Sequence, residues 1–147
     1  MAKEARIIII EDNTDLAEAM RVCLESRNHQ VRIATTPEDG LKGIKEETPD
    51  LIILDVMFGP DKRTEGFNLA QQLKLDPGLS SIPILMVTAV NAEYPNFKFS
   101  PETDGEFLPV DDFVNKPIEP VELLQKVEKL LEAKISKWAK WPHKRDQ

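Results

Sequence analysis

The sequence predicts an α/β fold, a doubly wound parallel sheet of five strands with helices on both faces. Two observations carry this. Ile7–Ile10 and Leu51–Leu54 are continuous aliphatic runs without polar alternation, the mark of strands buried on both faces. Between such runs lie segments with apolar residues at helical spacing, and strands that alternate with helices pair in parallel through crossovers. With 147 residues, 41% hydrophobic and 31% charged, the chain is long enough to bury one core of this kind.

The elements follow in order. Ile7–Ile10 is the first strand. Asp15–Ser26 is a helix with Leu16, Ala19, Met20, Cys23 and Leu24 on its apolar stripe. Val31–Ala34 is a short strand. Thr36-Pro37-Glu38-Asp39 opens a second helix, with a capping hydroxyl, Pro at the first helical position and acids at the positive dipole end. Leu41 and Ile44 face inward from it. Leu51–Leu54 is the third strand and ends in Asp55; a charged loop from Phe58 to Glu65 follows. Phe67–Leu75 reads as a helix, stopped by Asp76-Pro77-Gly78, and Ile82–Val87 as the fourth strand. Asn91–Val110 holds Pro95, Pro101 and Pro109 and lacks periodicity. Phe113-Val114 is a short strand. From Val121 to about Trp138 runs an amphipathic helix with Val121, Leu124, Val127, Leu130, Leu131 and Ile135 on one side.

Composition narrows the function. The net charge of −7 disfavours non-specific binding to nucleic acid or anionic membrane. Cys23 is the single cysteine, which excludes an internal disulfide and a multi-cysteine zinc site and suits a buried structural thiol. The first residues do not form a signal peptide and no run reaches membrane-spanning length, so a cytoplasmic protein without membrane insertion is expected.

In open parallel sheets, function gathers at the carboxyl ends of the strands. Here those ends carry Glu11 and Asp12, then Asp55, Thr88 and Lys116. Three carboxylates brought together repel unless a cation joins them, and a hard divalent ion, Mg²⁺ first, is the natural partner. Lys116 alone does not neutralise three acids; it is suited to pair with one, or with an anion added to it.

Ile-Ile-Glu11-Asp12-Asn13, Leu-Ile-Ile-Leu-Asp55-Val-Met, Met-Val-Thr88-Ala89 and Val-Asn-Lys116-Pro117 resemble the four signature motifs of the response-regulator receiver domains of two-component signalling. The resemblance runs from about Arg6 to Leu131. Taken singly, each motif has a structural explanation as a helix cap, a turn or a loop; their order, each at a strand end, is what is specific. It implies a flavodoxin- and CheY-like strand order 2-1-3-4-5, with Asp55 accepting a phosphoryl group from a histidine-kinase phosphohistidine. Asp12 and Asp55 would bind Mg²⁺ directly, Glu11 through a water, and Met57 through its backbone carbonyl. Lys116 would stabilise phosphoryl oxygens, Thr88 would turn its hydroxyl to one after transfer, and Phe113 would be the aromatic switch. The resemblance further implies a cis Lys116–Pro117 bond. The partners implied are a sensor histidine kinase or phosphotransfer protein and a downstream protein target, without direct nucleic-acid contact; a homodimer is compatible. Such a module is a phosphoacceptor that assists its own phosphorylation and slow dephosphorylation, rather than an enzyme.

The chain departs from the pattern in three places. Glu11 replaces the commoner Asp. The loop after Asp55 is extended. The stretch between Thr88 and Lys116 is long and proline-rich, which argues against a full fourth helix there and leaves that region atypical. By the resemblance, Met57 and Val90 hold the two positions that flank the water approach to the phosphoryl group; both are apolar, which implies a long-lived phosphorylated state. Residues 1–135 are read as the receiver and 136–147 as a basic tail, whose cations suit a helix terminus better than a nucleic-acid arm. Two other functions fit parts of this pattern. A receiver-like docking module acting without phosphorylation suits the rebuilt 91–110 segment. A hydrolase with an aspartyl nucleophile lacks the second acid it would want, since Met57 stands there.

Overall fold

A computed structural model of the chain describes the backbone of residues 4–55, 63–88 and 110–145, and the side chains of 4–55, 68–87 and 110–132. The strands are β1 (Arg6–Ile10), β2 (Gln30–Ala34), β3 (Leu51–Asp55), β4 (Ile84–Thr88) and β5 (Asp112–Asn115). The helices are α1 (Thr14–Glu25), α2 (Pro37–Glu46), α3 (Arg63–Leu75) and α4 (Pro120–Arg145). All pairings are parallel and the order is β2-β1-β3-β4-β5, as expected.

The unbroken aliphatic runs have a direct cause. Alternate residues of each central strand feed opposite cores. Ile7, Ile9, Leu51, Ile53, Leu85 and Val87 pack beneath α1 and α4, with Met20, Leu24, Leu123 and Val127. Ile8, Ile10, Ile52, Leu54 and Ile84 pack on the other side with Ile44, Leu69 and Leu73 from α2 and α3. Gly40 permits the closeness of α2, because a Cβ there would overlap Ile10 Cδ1.

Local signals set several helix starts. Thr36 accepts from the Asp39 N–H at 3.1 Å, with Pro37 next in the chain, as the sequence predicts. Asn13 Oδ1 accepts from the Leu16 N–H, so α1 starts at Thr14, one residue before the expected Asp15. The chain leaves α1 through Asn28 at φ 70°, in the left-handed region that Asn tolerates.

Other expectations need correction. The expected loop to Glu65 gives way at Arg63, where α3 begins; charge there masked a first turn that needs no apolar stripe. β4 begins at Ile84 rather than Ile82: Pro83 has no N–H to give, though its carbonyl accepts from Ile52 N. On α1, Ala17 is buried and Ala19 exposed. On α4, Leu123 is buried and Val121 is 66% exposed, because the buried row is Leu123, Val127, Leu131, spaced by four. Cys23 is half-buried against the core rather than fully enclosed. α4 continues past Trp138 to Arg145. The expectations for 91–109, for most of the loop after Asp55, and for Met57 and Val90 fall outside the described residues.

Candidate functional site

β1 and β3 are neighbours in the sheet, but the chain leaves them in opposite directions: β2 lies outside β1, and β4 outside β3. Their carboxyl ends therefore border the crevice where doubly wound folds place their sites. Ile10 pairs with Leu54, so Glu11 and Asp55, one residue further on each strand, stand side by side. Each belongs to the buried end of its strand: Glu11 N donates to Ala34 O at 2.9 Å, and Asp55 is in register with Val87.

Three carboxylates converge there. Oxygens of Glu11, Asp12 and Asp55 all lie within 4.8 Å of one another. Glu11 and Asp55 are buried, at 0% and 1% exposure, whereas Asp12 is exposed. From the end of β5, Lys116 Nζ donates to Asp55 Oδ2 at 3.1 Å and stands 3.6 Å from Glu11 Oε1. The Lys116–Pro117 bond is cis, as expected. Thr88 closes β4, opposite Asn115 of β5, which places its backbone at the same sheet edge; its side chain is not described.

The electrostatics follow from burying like charges together. Burial first, then the hydrogen bond and the charge of Asp55, push the Glu11 carboxyl up to about 8. The Asn13 N–H, donating to Glu11 Oε2 at 3.1 Å, and the Lys116 charge oppose this without overcoming it. A proton on Glu11 converts its contact with Asp55 from a clash of acceptors into a hydrogen bond. Burial works against the Lys116 charge, but Asp55 and Glu11 outweigh it and hold the ammonium above its ordinary range.

Glu11 Oε1 is buried and, as an ionised oxygen, accepts no hydrogen bond among the described residues; only the Lys116 ammonium faces it, at the longer ion-pair distance of 3.6 Å. An oxygen so placed, beside two other carboxylates, suits a hard divalent cation: all donors are oxygen and the charge is in excess. Glu11, Asp12 and Asp55 thus fit an Mg²⁺ ion. Met57, whose carbonyl was the expected further ligand, is outside the described residues.

The structure brings Glu11, Asp12, Asp55 and Lys116 together. Phe113 lies on β5, half-buried, three residues before Lys116. Sequence reasoning missed what surrounds it. Lys126 of α4 donates to the Phe113 carbonyl and its ammonium lies 5.4 Å from the ring centroid, while Asp112 Oδ1 accepts from the Phe113 N–H at 2.8 Å. No local pattern signals this, because the meeting of α4 with β5 is a tertiary event.

Comparison with known proteins shows the family. A family model described as response regulator receiver domain matches residues 7–128. The chain is 32% identical over 129 residues to the DNA-binding dual master transcriptional regulator RpaA of Synechocystis, covering 86% of this chain and 48% of that protein. It therefore spans about half the length of that relative. It is 28% identical to Protein PilH of Pseudomonas aeruginosa, covering 86% of this chain and 98% of PilH. Among solved structures, a putative response regulator from Chloroflexus aurantiacus superposes with a TM-score of 0.73 at 28% identity, covering 88% of this chain and 99% of that one. A CheY-like receiver domain protein from Methanospirillum hungatei gives 0.73 at 26% identity, covering 92% and 99%.

Proposed function

Since the chain belongs to the response regulator receiver domains of two-component systems, we propose that Asp55 is its phosphoacceptor. The donor is the phosphohistidine of a sensor histidine kinase or phosphotransfer protein. The observation that carries this reading is the position of Lys116, whose ammonium reaches both buried carboxylates, at 3.1 Å from Asp55 and 3.6 Å from Glu11.

The chemistry follows from that placement. An Asp55 oxygen attacks phosphorus, the P–N bond to the histidine breaks, and the imidazole leaves and takes up a proton. Glu11, Asp12 and Asp55, with the Met57 carbonyl, would hold Mg²⁺, Glu11 through a water. Bound there, the ion supplies positive charge that offsets the carboxylates and the transferring phosphoryl oxygens. Lys116 follows the phosphoryl group from the opposite side, trading its contact with Asp55 Oδ2 for one with a phosphoryl oxygen. Thr88 offers its hydroxyl after transfer, and Phe113 is the switch that moves with it. The chain acts as a phosphoacceptor within the cytoplasm, signalling by phosphorylation-dependent contact with a downstream protein, as a monomer or a homodimer. Residues 1–135 form the receiver and 136–147 a basic appendage. Among the described residues no helix is long and apolar enough to cross a membrane.

The test is labelling with acetyl phosphate, with Mg²⁺ and with EDTA, in the wild-type chain and in Asp55→Asn. Label in the wild type with Mg²⁺ alone is expected. Absence of label would favour a docking module that acts without phosphorylation.

A further inference from the structure

We propose that Lys126 is a positioning residue that holds Phe113 in its resting place and thereby sets how readily Asp55 is phosphorylated; this rests on the reading of Phe113 as the switch residue. β5 is an edge strand of the sheet. At Phe113, side chains take up both backbone polar groups: Asp112 Oδ1 accepts from the N–H at 2.8 Å, and Lys126 Nζ donates to the carbonyl. The two side chains are themselves paired, with Lys126 Nζ 3.5 Å from Asp112 Oδ1. Glu122, one turn earlier on α4, lies 3.8 Å from the same ammonium. The bracket is partly sheltered, Lys126 being 27% exposed and Asp112 25%.

The same ammonium faces the aromatic ring, 5.4 Å from its centroid, within the range where a cation is drawn to a ring face. Lys126 thus grips Phe113 by its backbone and by its ring. Three residues further along the chain, Lys116 pairs with Asp55. A ring that swings toward Thr88 leaves the ammonium behind. A contact present in one state and absent in the other shifts the balance between them, here toward the resting state. Removing the cation should therefore make the phosphorylation-competent arrangement easier to reach.

The experiment compares initial labelling of Asp55 by acetyl phosphate, at saturating Mg²⁺, in the wild type, Lys126→Met, Lys126→Arg, Phe113→Leu and the Lys126→Met/Phe113→Leu double variant. A 4-fluorophenylalanine placed at position 113 reports the ring's surroundings by ¹⁹F NMR. The expected result is a rise of about fivefold in Lys126→Met, a wild-type rate in Lys126→Arg, and no difference between Phe113→Leu and the double variant. The ¹⁹F resonance should shift in Lys126→Met. An unchanged rate in Lys126→Met overturns the proposal, and so does an equal rise in the Phe113→Leu background. If the wild type takes no label, the phosphoacceptor reading fails. The ¹⁹F arm still judges the grip on Phe113, and an unmoved resonance overturns that too.

Discussion

Lys116 and Asp55, 61 residues apart in sequence, meet at 3.1 Å across the carboxyl edge of the sheet. The ammonium is the positive partner of a carboxylate that is 1% exposed and stands beside a second buried acid, Glu11. It occupies the space from which an anionic group attached to Asp55 would be met.

Lys116→Met removes the cation and leaves its stem. Labelling of Asp55 at saturating Mg²⁺ should fall by about 100-fold, the scale of losing one preorganised charge at a reacting group. Mg²⁺ should bind more tightly, because a competing positive charge is gone. Labelling time courses and calorimetric Mg²⁺ titration check the two signs.

Glu11→Gln replaces one of two buried acids by a neutral group that still donates toward Asp55. At pH 7 the chain without metal should gain about 1–3 kcal/mol in urea unfolding, since folding no longer has to place a proton on Glu11 beside Asp55. Added Mg²⁺ is expected to stabilise the wild type and to stabilise this variant much less. A destabilised variant without metal would mean that Glu11 is not under the strain described.

His29 predicts a pH dependence with a definite sign. Its ring is buried; Nδ1 accepts from the Ala5 N–H at 3.1 Å, and Nε2 has no partner among the described residues. Burial first lowers its pKa below 6.5, with Arg27 adding to this and Glu128 and Glu4 opposing. The neutral ring is thus the one the fold prefers. Its contribution is complete above about pH 6.5, the unfolded value, and is lost as pH falls through the lower folded value. Protonation would also set a Nδ1 hydrogen against the Ala5 N–H. Urea midpoints from pH 7.5 to 5 should drop further for the wild type than for His29→Gln; parallel curves would refute the assignment.

Gly40→Ala should cost about 1–3 kcal/mol, because the added Cβ overlaps Ile10 Cδ1 and α2 must back away from β1. Chemical denaturation measures it. A neutral result would show that Ile10 can adopt another rotamer.

Much of this was legible in the sequence. The strands of the sheet centre are continuous aliphatic runs because both faces are covered, so they stand out without alignment. The strand order follows from family likeness, and Glu11, Asp12, Asp55 and Lys116 converge because each stands just past or at a strand end. What the sequence left obscure depends on tertiary contacts. Val121 and Leu123 differ in no local signal, yet the approach of α4 to the sheet buries Leu123 and exposes Val121. The start of α3 at Arg63 was hidden by charged residues, which are as acceptable in a first turn as in a loop. The Lys126 bracket on Phe113 joins two elements whose meeting no spacing rule predicts. The His29 contact with Ala5 spans 24 residues and is equally invisible from the sequence.

The most direct measurement is the chemical identification of the labelled residue. The chain is incubated with acetyl phosphate and Mg²⁺, the acyl phosphate is trapped by borohydride reduction, and the reduced residue is mapped by peptide mass spectrometry. Reduction is expected at Asp55 alone, dependent on Mg²⁺ and strongly diminished in Lys116→Met. Reduction at Glu11 or Asp12, or unchanged labelling in Asp55→Asn, would contradict it.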